Sequence, residues 1–310
     1  MSILKLLRPI NLLLLILVQC VVKLALLEPL NITLGLNTYS FIALVIATVC
    51  IAAGGNVIND INDIEIDKVN KPKKVIVGQK VSEKTANYLY IALTFIGVCA
   101  GFYVANAIGK PSFAIIFIII SALLNFYATQ LKEKLVLGNV LVSFLVASSL
   151  IILIIFDVFP GLNEQERDTQ LLATKTILLY AGFAFYINLM REIVKDIQDV
   201  NGDQKGDKNT LAVAIGRKRA RNVAFVMGII AIVVILGFTY FYLYQYRTVA
   251  FYFVFLIGGP LLVFCIRAFS AKREKDFKIL SLLLKLIMLA GICSLIFYAE
   301  ILNYESITLQ

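Results

Sequence analysis

Nine apolar stretches, each long enough to cross a membrane as a helix, dominate the sequence of 310 residues. About 20 predominantly apolar residues in an α-helix span the hydrocarbon core of a bilayer. Hydrophobic residues make up 60% of the chain and charged residues only 16%, a balance far from that of a soluble globular domain. We therefore predict an all-α, multi-pass protein of the lipid bilayer that forms a single domain over 1–310. The predicted spans are 10–27, 39–58, 86–108, 112–128, 140–156, 174–190, 222–244, 249–266 and 280–302.

Lys and Arg residues are distributed unevenly between alternate connections. The connections on the side of the N-terminus are rich in them, above all 68–84 and 191–221, whereas the opposite side has few, such as Lys110 and Arg247. Cytoplasmic loops are enriched in Lys and Arg, so the N-terminus is predicted to be cytoplasmic and the C-terminus external. The net charge of +9 therefore indicates topology and contact with anionic lipid, and no nucleic-acid partner is expected. The external connection 157–170 is predicted to be solvated and without a chemical role.

Histidine is absent from the sequence, and the five cysteines lie in apolar spans without paired spacing. We interpret the cysteines as small buried residues with no metal or disulfide role. A reaction site in this chain must therefore be built from carboxylates, Asn, Lys, Arg and Tyr.

The stretch 54–74 gathers carboxylate and amide side chains directly after the second apolar span. At about 100° per residue, one arc of roughly 60° on a helix contains Asn56, Asp60, Asp63 and Asp67, with Asn59 beside it. Like charges at this spacing repel one another, so a positive group is expected against them. A divalent metal ion is the simplest candidate.

A second acidic stretch, 191–220, follows the sixth span and repeats this pattern. Each of its members lies 136 residues after its counterpart at 56, 60, 63 or 67: Glu192, Asp196, Asp199 and Asp203. This predicts an internal repeat with acidic helix ends at 56–67 and 192–203. Gly202 and Gly206 predict that the second helix unwinds near Asp203. Charged groups at a membrane boundary need partners or a polar cavity, so two acidic faces on one side predict a shared site.

Magnesium suits such a site because it takes oxygen ligands and keeps water and substrate phosphate in its shell. Two facing carboxylate clusters flanked by Lys and Arg would hold a metal-bound diphosphate. The alternative is a pair of polar helix caps exposed to the cytoplasm. Clusters more than roughly 15 Å apart would exclude a shared site. The predicted metal ligands are Asn59, Asp60, Asp63, Asp67, Asp196, Asp199 and Asp203.

Both motifs resemble those of a known family. NDINDIEID at 59–67 resembles the NDxxDxxxD motif of the UbiA-type intramembrane prenyltransferases, and DIQDVNGD at 196–203 resembles their second aspartate-rich motif. The similarity extends to RPIN at 8–11, LGN at 137–139 and GDKNTLAVAIG at 206–216. Within the family, REIVKDIQDVNGD at 191–203 is most similar to the branch that makes digeranylgeranylglyceryl phosphate, an ether lipid of archaeal type. The resemblance implies nine helices around a central cavity in a prokaryotic plasma membrane, with both acidic ends and the active site on the cytoplasmic side.

The resemblance also implies a reaction, the Mg²⁺-dependent transfer of a prenyl group from its diphosphate to a membrane-borne acceptor. The expected donor group is geranylgeranyl and the expected acceptor is geranylgeranylglyceryl phosphate. Cleavage of an allylic C–O bond leaves negative charge on the diphosphate, which fixed cations stabilise. Aromatic faces such as Tyr127, Phe183 and Tyr186 suit the allylic cation. The six aspartates are the predicted catalytic residues, and the predicted substrate-binding residues are Asn56, Asn59, Lys74, Tyr127, Lys132, Lys134, Arg191 and Lys195.

Three alternatives remain open from the sequence. An aromatic acid acceptor of quinone biosynthesis would use the same Lys and Arg residues. A secondary transporter with a repeat would place its carboxylates near mid-span, whereas these cluster at helix ends. The CDP-alcohol phosphotransferases have an Asp-Gly pair followed by Ala-Arg, and neither acidic stretch contains that pattern.

Overall fold

The computed structural model describes residues 2–70, 75–206 and 208–308, without the side chains of 69, 70 and 303–308. Within these ranges nine helices are long and apolar enough to cross a bilayer, so the predicted number of spans is confirmed. Most bounds differ from the predicted ones by a few residues, but the sixth helix is far longer than expected. The spans are Pro9–Leu27, Thr38–Asn62, Glu83–Ala107, Pro111–Leu131, Leu137–Gly161, Arg167–Lys205, Arg217–Tyr242, Arg247–Ser270 and Glu274–Leu302.

Regular α-helix makes up most of these spans, and short π-helical turns interrupt several of them. The π-helical segments are Val22–Leu27, Tyr127–Leu131, Ile154–Val158 and Phe253–Gly258. The α-helices are α1 Ser2–Leu6, α2 Pro9–Val21, α3 Thr38–Asn62, α4 Ile64–Asn70, α5 Glu83–Ala107, α6 Ile115–Phe126, α7 Leu137–Leu153, α8 Arg167–Lys205, α9 Leu211–Ile215, α10 Arg217–Tyr242, α11 Arg247–Tyr252, α12 Gly259–Ser270 and α13 Glu274–Thr308.

Helix α8 is the axis of the bundle. Its first half packs in an apolar cluster with α2, α3 and α7, through Ile177 and Tyr180. Its second half packs in another cluster with α10, α12 and α13, through Ile187 and Ile193. Because one helix contributes to both clusters, the polar residues at its end have a fixed position relative to both halves of the molecule.

A turn interrupts the first acidic stretch, whereas the second lies within one continuous helix. Helix α3 ends at Asn62, Asp63 forms the turn, and α4 begins at Ile64. The Asn62 side chain donates to the carbonyl of Ile58 at 2.8 Å, and such side-chain bonds to the preceding turn tend to bend helices. Asp60, Asp63 and Asp67 therefore do not lie on one continuous helical face.

Helix α8 runs without interruption through Asp203 to Lys205, so the prediction that it unwinds near Asp203 is wrong. Gly202 and Asp203 are buried, and tertiary packing outweighs the weak helix preference of glycine there. The helix ends only at Gly206, which is its C-cap.

The prediction of a solvated connection at 157–170 is wrong at both ends, where Asp157, Val158 and Gln170 are buried. Asp157 has 0% exposure and forms an ion pair of 2.9 Å with Lys23 of the first span, which is 3% exposed. The Lys23 ammonium also donates to the carbonyl of Leu36, and the peptide N–H of Leu36 donates to Asp157. A buried lysine is stable only with such partners. The two π-helical segments that contain Lys23 and Asp157 are thus joined at the end of the bundle opposite the acidic motifs.

A small parallel β-pair joins two connections at the acidic end. Strands β1 (Lys134–Leu135) and β2 (Asn209–Thr210) lie after the fourth and sixth spans, with Lys134 opposite Asn209. The peptide N–H of Asn209 also donates to the carbonyl of Glu133 at 3.0 Å. These bonds fix the chain that follows the second acidic motif beside the chain that follows α6.

Candidate active site

A cavity of 860 Å³ opens at the acidic end and extends into the bundle. Both acidic motifs line its charged end. Twelve of the fourteen residues predicted from the sequence to bind metal or substrate line this cavity: Asn56, Asn59, Asp60, Asp63, Asp67, Tyr127, Lys132, Arg191, Lys195, Asp196, Asp199 and Asp203.

Basic side chains hold the carboxylates of the first motif. The Arg8 guanidinium donates to Asp60 at 2.5 Å, and it is placed there by the turn before α2. Lys132 forms an ion pair with Asp63 and also donates to the Asn59 side chain at 3.3 Å. Asn59 in turn donates to the second oxygen of Asp63 at 3.0 Å. The first motif is therefore a network of charge-assisted hydrogen bonds in which every donor has a carboxylate or amide oxygen.

Asp63 and Lys132 stabilise each other's charged forms. Burial alone would raise the pKa of Asp63, but the charges and hydrogen bonds of Lys132 and Lys208 outweigh it and lower that pKa below its ordinary value. Burial lowers the pKa of Lys132, and the nearby Lys208 contributes to that lowering although Asp63 opposes it. Two lysines therefore share the Asp63 carboxylate at this point of the cavity.

The second motif has its own set of partners. Asn139, at the start of α7, donates to Asp196 at 2.7 Å. Glu192 is buried and accepts from Arg191 at 3.1 Å and from Lys195 at 2.6 Å. The carboxylates of this motif thus face the cavity from one helix, and basic residues of the same helix neutralise Glu192.

Lys208 joins the two motifs. Its peptide N–H bonds to the carbonyl of Asp203 at 2.9 Å, and its side chain bonds to Asp63 at 3.3 Å. The backbone at Gly206 lies close to α4, since a Cβ built on Gly206 would lie 3.0 Å from the Ile66 side chain. This closeness brings Lys208 within reach of Asp63. Carboxylates separated by more than 130 residues in sequence therefore border one space.

The donor set suits magnesium. All the candidate ligands are carboxylate or amide oxygens, the type that Mg²⁺ prefers. In the described part of the chain, no group of three or more acidic side chains surrounds a single point closely enough to hold an ion by itself. Magnesium tolerates this, because it is usually bound through one or two carboxylates and completes its shell with water and substrate phosphate.

The inner part of the cavity is apolar. Asp196 and Tyr180 both line it and stand 16 positions apart on α8 (196 minus 180), which corresponds to about 24 Å of helix. The cavity is therefore charged at one end and suited to a long hydrocarbon chain over the rest of its length. Its apolar walls include Val18, Ile51, Phe117, Leu124, Ile152, Phe183 and Met288.

Two predicted residues are placed differently from the others, and a third lies outside the described residues. Lys134 lies on β1, is exposed, and is not among the residues that line the cavity. Lys74 lies outside the described residues. Of the aromatic candidates, Phe183 lines the cavity, whereas the Tyr186 hydroxyl donates to the carbonyl of Met227.

Sequence reasoning missed several polar residues of the cavity. Arg8, Asn139 and Lys208 lie in the stretches RPIN, LGN and GDKNTLAVAIG, where the family resemblance was already visible. Lys285 is the single lysine of the predicted apolar stretch 280–302, and an ionisable residue in such a position is a functional candidate by itself. Those two signals were sufficient to find all four residues.

Comparison with known proteins gives a consistent result. The family model described as the UbiA prenyltransferase family matches residues 9–299. The chain is 33% identical to the digeranylgeranylglyceryl phosphate synthase of Methanococcoides burtonii over 82% of this chain and 83% of that protein. It is 35% identical to the synthase of the same name from Saccharolobus solfataricus over 62% of this chain, and that match spans 64% of the length of the relative.

Solved structures share the fold. A UbiA homologue from Aeropyrum pernix superposes with a TM-score of 0.66 at 15% identity, covering 95% of this chain and 98% of that one. A structure of a digeranylgeranylglyceryl phosphate synthase has a TM-score of 0.62 at 22% identity, with coverage of 96% and 97%. A UbiA homologue from Archaeoglobus fulgidus, bound to DMAPP and Mg²⁺, has a TM-score of 0.57 at 15% identity, with coverage of 95% and 99%.

Proposed function

Because this chain belongs to the UbiA prenyltransferase family, we propose that it transfers a geranylgeranyl group from geranylgeranyl diphosphate to geranylgeranylglyceryl phosphate, with Mg²⁺ as cofactor. Family membership makes the chain a prenyltransferase, so the transporter alternative is set aside. The names of its relatives support the lipid acceptor. Support for the cofactor comes from the Archaeoglobus homologue, which binds DMAPP together with Mg²⁺.

The observation that carries the proposal is the division of one cavity into a charged end and an apolar interior. An isoprenoid diphosphate has the same division. Its diphosphate suits the lysines directly and the carboxylates of the two motifs through Mg²⁺. Its hydrocarbon chain suits the apolar walls formed by α2, α3, α7 and α8. A water-soluble substrate would make no use of this apolar interior.

Oxygen ligands in two groups would hold the metal. The first group is the amide of Asn59 with the carboxylates of Asp60, Asp63 and Asp67, and the second is Asp196, Asp199 and Asp203. A bound magnesium ion neutralises charge on the diphosphate as that group leaves. Lys132 and Lys208 share Asp63 in the structure, so they stand where they would donate to diphosphate oxygens once Asp63 turns to a metal ion. Charge-assisted hydrogen bonds of this kind stabilise negative charge where it develops.

The bond changes are those of an alkyl transfer. The bond between C1 of the prenyl chain and the diphosphate oxygen breaks, and its electron pair leaves with the diphosphate. A bond forms between C1 and the hydroxyl oxygen of the acceptor, whose proton passes to a carboxylate of the motifs. Tyr127 and Phe183 line the cavity, where aromatic faces favour the positive charge on the allylic carbon. The apolar walls keep water from that carbon.

We also propose the orientation and organisation that the sequence predicted. Lys and Arg surround the acidic end, which supports a cytoplasmic N-terminus and an active site on the cytoplasmic side. The archaeal relatives support residence in the plasma membrane of a prokaryote. The ends of α3 and α8 bring the matched stretches 56–67 and 192–203 to one cavity, which supports an internal repeat within a single domain.

The decisive experiment supplies the purified protein in lipid nanodiscs with labelled geranylgeranyl diphosphate, Mg²⁺ and one acceptor at a time. Geranylgeranylglyceryl phosphate is expected to give a labelled product, and an aromatic acid of quinone biosynthesis is not. Product formed only with the aromatic acid would establish the alternative acceptor and refute the lipid acceptor.

A further inference from the structure

Lys285 is an ionisable residue in an apolar helix without an acidic partner. It lies in α13, inside the ninth membrane span, and it lines the cavity. Among the described residues its ammonium forms no ion pair and donates instead to the Asn11 side-chain oxygen at 2.6 Å. A charge in a membrane span is costly without a counter-charge, so the position of Lys285 indicates a binding site for an anion.

Arg191 adds a second unsatisfied group to the same part of the cavity. Its positive charge repels that of Lys285, and both side chains line the cavity. One guanidinium nitrogen donates to Glu192 at 3.1 Å, but the buried Nε has no partner. A buried donor left without an acceptor is destabilising. Two cations that repel each other, one with an unused donor, are stabilised together by a single anion between them.

Resting on the function proposed above, we infer that Lys285, Arg191 and Asn11 form the binding site for the phosphomonoester headgroup of the acceptor lipid. Lys285 supplies a compact positive charge and Arg191 supplies N–H donors suited to phosphate oxygens. Asn11 accepts from Lys285 through its oxygen, so its amide NH₂ remains as a further donor. Glu192, the carboxylate that Arg191 contacts, is also neutralised by Lys195.

The donor diphosphate is the other phosphate in the reaction, and it has its own cations. Lys132 and Lys208 both contact Asp63 of the first motif. Lys285 contacts Asn11 of α2 instead and has no bond to either motif among the described residues. The two groups of cations have different protein partners, Asp63 for Lys132 and Lys208, and Asn11 and Glu192 for Lys285 and Arg191. Each phosphate of the reaction can therefore have its own cations.

Steady-state kinetics of Lys285→Met, Lys285→Arg and the control Lys278→Met test the inference in nanodiscs. Lys278 lies two turns earlier on α13, is exposed and does not line the cavity. Each protein is assayed with geranylgeranylglyceryl phosphate and with geranylgeranylglycerol, the same acceptor without phosphate. Lys285→Met is expected to lower kcat/KM for the phosphorylated acceptor by about tenfold or more, as for the loss of a charge-assisted hydrogen bond. The loss with geranylgeranylglycerol should be much smaller, the KM for the donor should stay within about twofold, and Lys285→Arg should restore the preference for phosphate.

Equal losses with both acceptors, or a raised KM for the donor with an unchanged KM for the acceptor, would overturn the inference. A wild-type protein that forms no product with geranylgeranylglyceryl phosphate would instead refute the proposed function. If Lys285→Met does not fold, the wild-type protein provides the second measurement. Geranylgeranylglyceryl phosphate should protect Lys285 from acylation, as read by mass spectrometry, whereas geranylgeranylglycerol should not; equal protection by both would also overturn the inference.

Discussion

The side-chain ammonium of Lys208 lies 3.3 Å from Oδ1 of Asp63, although the two residues are 145 positions apart. Lys208 follows the second acidic motif and Asp63 belongs to the first. The contact therefore joins the two halves of the candidate active site without any metal ion. Lys132 contacts the same Asp63 carboxylate from a third element. The two lysines together hold the acidic helix ends near each other.

Replacing Asp63 or Asp199 by alanine is expected to reduce prenyl transfer by about a hundredfold or more, the loss typical when one group that stabilises transition-state charge is removed. Each change removes an oxygen ligand for magnesium, so the Mg²⁺ concentration needed for half-maximal rate should rise. Both quantities come from product formation measured across a range of Mg²⁺ concentrations.

Glu65→Ala is the matched control for these two variants. Glu65 lies on α4 between Asp63 and Asp67, but its side chain is 81% exposed and pairs only with Lys68 among the described residues. Its removal should leave the rate and the Mg²⁺ dependence unchanged. Undiminished turnover in Asp63→Ala and Asp199→Ala would show that these carboxylates do not hold the metal.

Lys132 and Lys208 are expected to act as a unit because they share Asp63. Lys132→Ala and Lys208→Ala should each raise the KM for geranylgeranyl diphosphate by roughly tenfold. Residues that share a partner have non-additive effects, so the double variant should differ clearly from the sum of the single changes. The exposed Lys205 provides the control, and Lys205→Ala should not alter that KM. Strict additivity in the double-mutant cycle would contradict the shared contact.

Gly101→Ala is expected to destabilise the fold. A Cβ at this position would lie 2.3 Å from the ring of Phe117, which is fully buried. Forcing extra volume into a packed core costs about 1 to 3 kcal/mol. Gly182→Ala is the control, since no atom lies within 4 Å of its added Cβ, and replacing a helical glycine there should be neutral or stabilise by up to about 1 kcal/mol. Thermal unfolding in detergent, followed by the loss of the monodisperse peak in size-exclusion chromatography, gives both values.

The Lys23–Asp157 ion pair predicts a different pattern of stability. Asp157→Ala leaves a buried ammonium without its partner and should cost about 3 to 5 kcal/mol. Adding Lys23→Met to that variant should recover most of the loss, because the uncompensated charge is then removed. Asp168→Ala, at an exposed position of α8, should have little effect. If the double variant is no more stable than Asp157→Ala, the buried pair is not the source of the cost.

Much of the fold followed from periodicity and charge. Each span is apolar over the length that a bilayer requires, and this property depends on local sequence alone. The break at Asp63 and the straight course of α8 through Gly202 were not predictable in the same way. In the first case a side-chain hydrogen bond from Asn62 competes with the helix, and in the second case burial at the centre of the bundle keeps a glycine helical.

The site was predicted in part. Eight of its residues were identified because carboxylates and amides at helical spacing, in two stretches 136 positions apart, form a pattern that sequence alone displays. The other four, Tyr127, Lys132, Arg191 and Lys195, were identified from their positions near the acidic ends of the spans and from the family resemblance. Arg8, Asn139 and Lys208 carry no such pattern, since each acts through one contact with a residue of another element. The ion pair of Lys23 with Asp157 was not predicted for the same reason, since it also joins two different elements.

The sequence by itself determined that this protein is a nine-helix membrane protein with two matched acidic motifs and the family to which it belongs. These properties depend on residue type and spacing along the chain. Only the tertiary structure decided which cation neutralises which carboxylate, that both motifs border one cavity with an apolar interior, and that Lys285 donates to Asn11 and has no ion pair among the described residues. The physical reason is that an ion pair or a cavity depends on distances between elements far apart in sequence, and those distances are set by how the helices pack.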